Sequence, residues 1–199
     1  MRTRAARALS RGARVTASAH GTVTACELPG DALLRAYADA GYTDCFAARL
    51  PGACALSEYV ERFLTTGLFR LERRLLAWFA GAPSQDGDAR ALASGECDRF
   101  AVWEVEARTG EQLLLADRWR MTRSWWMVRA VATAPGRAAH ACLYFGSAVP
   151  RAAGTAAVPA SAMASRAGAF ALAPHRFYSR RLLGAARRAL VSPPSGGAA

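Results

Sequence analysis

Lysine is absent from the chain: all 26 basic residues are Arg, set against 15 acids and three His. With so much Ala beside it, this is the residue usage of a GC-rich coding sequence, so the bulk excess of Arg is weak evidence about partners. Where acid is missing says more. Residues 1–26 hold five Arg and no acid, residues 27–117 hold nine Arg and all 15 acids, and residues 118–199 hold twelve Arg and no acid. An acid-free final stretch suits a phosphate backbone, an anionic membrane surface or an anionic ligand. It equally suits an Arg surface folded against the acidic middle of the same chain, and that is the expectation here.

The five cysteines (Cys26, Cys45, Cys54, Cys97, Cys142) form no C-x-x-C pair, and His is too sparse to complete a zinc site. No metal and no cofactor is expected, and the thiols read as small buried side chains in a reducing compartment. No apolar run reaches the roughly 18 residues that a membrane span needs. A soluble, cytoplasmic protein is the expectation. The G-x-S-x-G elbow, the P-loop and the dinucleotide fingerprint are missing too. The sequence names no reaction.

Present instead is ample material for one core, with 52% of residues hydrophobic. Residues 1–26 read as a disordered basic tail, although an organellar transit peptide or an early start codon gives the same composition. Residues 27–190 read as a single domain and residues 191–199 as a second tail. Pro29-Gly30-Asp31 opens a short helix with Asp31 as its cap. Residues 42–50 form a strand that stops at Pro51-Gly52. From Ser57 to Phe79 the period is helical, with Tyr59, Phe63, Leu68, Leu71, Leu75 and Trp78 as the apolar stripe and a break at Thr65-Thr66-Gly67. Residues 81–95 read as a linker by composition.

The period then changes to two. Residues 100–107, 111–119, 120–133 and 140–149 make four sequential strands, with a hairpin signal at Thr109-Gly110 and a turn at 134–138. Residues 150–168 read as a flexible insertion. Residues 169–190 form a helix with His175, Ser179, Leu182, Leu183, Ala186 and Leu190 on one face and Arg176, Arg180 and Arg187 on another. This is the order of an α+β helix-grip fold, in which a curved antiparallel sheet packs on a long C-terminal helix.

The segments TDCFAARL, SEYVERFLTTGLFRLERRLLAWF, LLLADRWRMTRSWWMV and FALAPHRFYSRRLL resemble an uncharacterised bacterial domain-of-unknown-function family over roughly residues 40–190. The resemblance implies a START-like, polyketide-cyclase-like helix grip and no activity. The sequence departs from the family pattern in the insertion at 150–168, and its acidic strand residue is matched only by Asp117.

If the helix lies in the palm of the sheet, His175 and Tyr178 stand at a cavity mouth. A helix-capping or core His is the plainer role. Trp119, Met121, Arg123, Trp125 and Met127 share a parity, which gives an aromatic-lined pocket with one Arg to hold a carboxylate or phosphate. Against this stands a sheet core with Arg123 paired to Glu104 or Asp117. Trp103 and Tyr144 are single aromatics on what the sequence presents as neighbouring strands, where cross-strand packing accounts for them. Asp44 and Cys45 hint at a nucleophile, but a buried cysteine is the simpler reading.

The leading expectation is therefore a protein that binds an apolar or amphipathic small molecule with an acidic group, through Trp103, Asp117, Trp119, Arg123, Trp125, Tyr144, His175 and Tyr178. The alternatives are a cyclase- or hydratase-type enzyme using the same cavity, and behind it a basic surface for nucleic acid or an anionic membrane.

Overall fold

A computed structural model describes residues 22–131, 139–150 and 166–192, with side chains described for all of these except 166–174. Seven strands form one curved, open antiparallel sheet in the order β1-β2-β7-β6-β5-β4-β3. They are β1 Thr24–Ala25, β2 Gly41–Pro51, β3 Arg99–Phe100, β4 Trp103–Arg108, β5 Gln112–Asp117, β6 Arg123–Val131 and β7 His140–Pro150. The meander from β4 to β7 follows the alternation in the sequence, and β7 then pairs with β2 over all eleven residues of each. Among the described residues there are four helices: α1 Leu56–Leu64, α2 Gly67–Ala80, α3 Asp86–Ser94 and α4 Arg166–Val191.

The pleat sorts side chains to two faces. Phe46, Ala48 and Leu50 of β2, Leu113 and Leu115 of β5, Trp126 and Val128 of β6, and Leu143 and Phe145 of β7 meet α1, α3 and α4 in the main core. Leu182, Leu183 and Ala186 bring α4 onto this face, where it packs against β2, β7 and α1. The opposite face carries Cys45, Ala47, Leu114, Trp125, Met127 and Tyr144. It is covered by residues 26–38, which include a 3-10 turn at Leu33–Tyr37. Gln112 clamps this cover: its Oε1 accepts from Leu33 N–H and Trp125 Nε1–H, both at 2.9 Å, while Nε2 donates to Asp31 O at 3.0 Å.

Several expectations are corrected. Thr24-Ala25 is an edge strand on β2, so the basic tail ends before residue 24. The helix expected after Asp31 is only the 3-10 turn, and Asp31 does not cap it; its carboxylate pairs with Arg129 instead. The presumed linker at 81–95 contains α3. Its Gln85 and Asp88 cap one another reciprocally (Gln85 N–H to Asp88 Oδ2, 2.7 Å), and Gly95 closes it at φ +87°. Composition hid it, because Ser, Asp and Gly serve caps as readily as loops. The helical stripe also turns. Tyr59 and Phe63 are buried as expected, but Leu71, Leu75 and Trp78 face outward. The break at Thr66, whose Oγ1 accepts Phe69 N–H at 3.2 Å, gives α2 a new phase and sets Phe69 and Arg73 inward. The turn at 134–138 lies outside the described residues, as does the expected insertion apart from Pro150, which ends β7, and residues 166–168, which begin α4.

Candidate functional site

At one end of the β2–β7 pair, polar side chains occupy the face that is otherwise apolar. Asp44 shares parity with Phe46 and Ala48, and Ser147 stands opposite it in register. Asp44 Oδ1 accepts both the Ser147 N–H (3.0 Å) and the Ser147 hydroxyl (2.7 Å), and Oδ2 accepts the Tyr42 hydroxyl at 2.9 Å. The Asp44 side chain is only 6% exposed, so these three donors replace the water it has lost. From α4, His175 Nε2 reaches Ser147 Oγ at 2.7 Å and lies 3.7 Å from Asp44 Oδ2.

The proton count fixes the direction of this chain. Ser147 has one hydroxyl hydrogen, and the Asp44 carboxylate takes it. His175 Nε2 therefore carries a hydrogen and donates it to Ser147 Oγ. A nucleophilic serine needs the reverse, an imidazole lone pair to receive its proton. Asp–Ser–His in this order holds His175 in place and does not activate Ser147. Burial and the Asp44 charge push the Tyr42 phenol well above its ordinary value, so Tyr42 stays a donor.

Beside the network opens a cleft of about 490 Å³, whose walls include Leu28, Arg35, Tyr42, Asp44, Phe46 and Arg176. Phe46 and Arg176 also border a second opening of about 510 Å³, completed by Phe177, Arg180 and Arg181. Both volumes fall within the range of small-molecule sites. Among the described residues, Tyr59, Phe63, Leu113, Leu143 and Leu183 of the main core are fully buried and packed on one another.

The eight residues singled out from sequence do not share one pocket. His175 stands at the cleft network. Tyr178 donates to the Glu72 carboxylate and ties α4 to α2. Trp103 packs at 5.7 Å on Phe69 and 6.3 Å on Phe100, filling space between sheet and helix. Trp125 and Tyr144 are buried on the opposite face, away from α4, and two strands intervene between β4 and β7, so Trp103 and Tyr144 are not neighbours. Trp119 is half exposed in the turn after β5, with the Arg118 guanidinium 4.3 Å from its ring.

Asp117 is a turn anchor. Its oxygens accept the N–H groups of Trp119, Met121 and Thr122 and the Thr122 hydroxyl, at 2.6–3.1 Å. Arg123 is buried and engaged: Nε lies 2.7 Å from Glu106 Oε2, Nη1 donates to Arg120 O and Thr122 O, and its guanidinium covers the Tyr37 ring. Its carboxylate partner is Glu106, because a bulge between Val105 and Ala107 shifts the register of β4.

Missed were Tyr42, Asp44 as an anchor, Ser147, Arg35 and Arg176. An acid and a serine on the inward parity of two apolar strands were the available signal for the pair. Among the described residues no cluster of three or more His, Cys, Asp or Glu is arranged to hold a metal, and no helix is long and apolar enough to cross a membrane. No family model, curated protein or solved structure matches the chain.

Proposed function

We propose that this α+β domain is a START-like helix grip that binds a small amphipathic acid in the cleft between the β1–β2 edge and α4. The observation that carries the proposal is that buried Asp44 and Ser147 hold the partly exposed His175 beside a cleft whose walls include Arg35, Arg176 and Glu27. A cleft walled by Leu28 and Phe46 takes the apolar part of a ligand, and a guanidinium takes a carboxylate or phosphate in a forked contact. His175, held by its bond to Ser147, stands next to Arg176 on α4. Arg123 plays no part, since its buried guanidinium is ion-paired with Glu106, bonded through Nη1 to the turn and laid over Tyr37. The side chains in the palm of the sheet pack on one another, which favours a site at the sheet edge over one beneath α4.

Of the four groups an enzyme would bring together, only His175 stands by the cleft network: Asp117 is spent on its turn, Tyr178 on Glu72, and Tyr144 faces the other side. The basic-surface alternative loses Arg120, Arg123 and Arg129, which pair with Glu106 and Asp31 from the acidic middle.

Calorimetric titration with dodecanoate, dodecyl phosphate and dodecanol tests the binding proposal. The two acids bind and the alcohol does not. Arg176→Ala weakens the acids by about tenfold or more, the effect of losing one charge-assisted hydrogen bond of roughly 1.5–3 kcal/mol. Equal binding of dodecanol, or no uptake of any of the three, overturns it.

A further inference from the structure

The cleft contains a second feature that the ligand proposal does not use. Cys26 and Cys45 lie at its wall with their sulfurs 3.3 Å apart. The register Thr24↔Ala47 and Ala25↔Phe46 continues to Cys26 opposite Cys45, and Cys26 N–H donates to Cys45 O at 3.0 Å. Residues directly opposite in an antiparallel pair have Cα atoms roughly 4.5–5.5 Å apart, inside the roughly 4.4–6.8 Å that a disulfide spans. The side chains already point at one another. Bond formation requires the sulfurs to approach, not the strands.

We propose that Cys26 and Cys45 are a peroxide-reactive dithiol, with Cys26 as the attacking thiolate and Cys45 as the resolving thiol. The roles follow from exposure. Cys26 is half-buried and borders the cleft, so its charged form keeps water, whereas Cys45 is 5% exposed. Of two thiols sharing one S–H···S contact, the wetter one ionises and the drier one keeps its proton and donates it. The hydrogen bond from Cys45 holds the Cys26 thiol below its ordinary value, and the same bond together with burial pushes Cys45 up.

The chemistry balances with a hydroperoxide as oxidant. The Cys26 thiolate attacks the terminal oxygen of ROOH, the O–O bond breaks, and the alkoxide leaves as ROH with a proton from water. Cys26 is then a sulfenic acid. The Cys45 sulfur attacks it, the S–O bond breaks, and hydroxide departs as water with the Cys45 proton. Two thiols and one hydroperoxide have become a disulfide, ROH and water. A dithiol reductant restores the pair by exchange.

The other three thiols are placed less favourably. Cys54 donates to Ala55 O, and burial pushes it up to about 12. Cys97 donates to Arg99 O at 2.8 Å, and burial pushes Cys142 up.

The experiment treats the reduced full-length protein with one equivalent of hydrogen peroxide and maps peptides by mass spectrometry without reduction. A Cys26–Cys45 cross-linked peptide is the expected main product, reversed by dithiothreitol. In reduced protein, iodoacetamide labels Cys26 about tenfold faster than any other cysteine, as a lowered thiol value requires. In Cys45→Ser, checked for folding by circular dichroism, a dimedone adduct accumulates on Cys26. Oxidation falling first on Cys54, Cys97 or Cys142, or a disulfide between any other pair, overturns the proposal. So does an unoxidised Cys26–Cys45 pair in folded protein, a result that needs no variant. None of these readouts depends on an amphipathic ligand.

Discussion

Asp44 is a carboxylate in a strand that otherwise buries Phe46, Ala48 and Leu50, and it is held there by the donors gathered on it. Ser147 supplies two of them, which is why the register of β2 against β7 matters more here than the identity of either strand. Gly146 makes that register attainable. A Cβ at this position would stand 2.7 Å from Asp44 O and 2.9 Å from Leu34 Cδ2, so only glycine lets β7 pass between β2 and the 3-10 cover. Gly146→Ala is expected to destabilise the fold by about 1–3 kcal/mol, the cost of overpacking a tight site, and to weaken dodecanoate binding through the displaced Asp44. Chemical denaturation beside calorimetry checks both, and an unchanged denaturation midpoint contradicts the close approach.

At the scale of elements, α2 is joined to the domain by polar contacts and leaves much of its apolar surface outside. Arg73 points inward and holds Asp86 Oδ1 and Ser84 O, both at 2.7 Å, so one guanidinium binds the start of α3 to α2. Outside, Trp78 is 81% exposed and stacks on Phe79. Trp78→Ser is expected to change stability by less than about 0.5 kcal/mol, whereas Trp126→Ala, in the main core, costs about 3–5 kcal/mol. Equal losses in urea titrations would contradict the facing assigned to α2.

The second tie is Tyr178 to Glu72, and it makes a statement about pH. Burial raises the Glu72 carboxyl above its ordinary 4.5, and the Tyr178 hydroxyl offsets only part of this. The folded state therefore binds the proton more tightly than the unfolded chain. This contribution is complete below 4.5 and is lost as pH rises through the raised folded value. Glu72→Gln retains an acceptor for Tyr178 and removes the titration. Its stability is expected to match the wild type near about pH 4 and exceed it near about pH 7; parallel pH profiles for the two proteins would contradict it.

At the scale of the whole molecule, the strands of the meander were legible as short apolar segments bounded by turn residues, such as 140–149, and the terminal helix by its period of 3.6 over 175–190. The α3 helix was not, since Asp86–Ser94 has the composition of a loop and its caps act only once the chain has turned at Gly81. The parity expected over 119–127 holds for Arg123, Trp125 and Met127, whereas Trp119 and Met121 lie exposed in the turn before β6; parity also cannot say which face meets α4, and it is the other one. Of the site, sequence found His175 on the inward side of α4. It missed the partners of His175 because Asp44 and Ser147 are 103 residues apart and meet only through strand register. The charge asymmetry, finally, is partly internal: Arg129 closes on Asp31 across 98 residues.

His175 presents Nε2–H to Ser147 beside the cleft residues Asp44 and Arg176, and the imidazole itself reports on this. A nitrogen–carbon correlation spectrum of the labelled protein, with His175 assigned by its His175→Gln variant, is recorded with and without saturating dodecanoate. The expected spectrum has the proton on Nε2 in the free protein and His175 ring resonances that move on addition of the acid, while dodecanol moves nothing. A proton on Nδ1 alone, or a ring that dodecanoate leaves unshifted, contradicts the account.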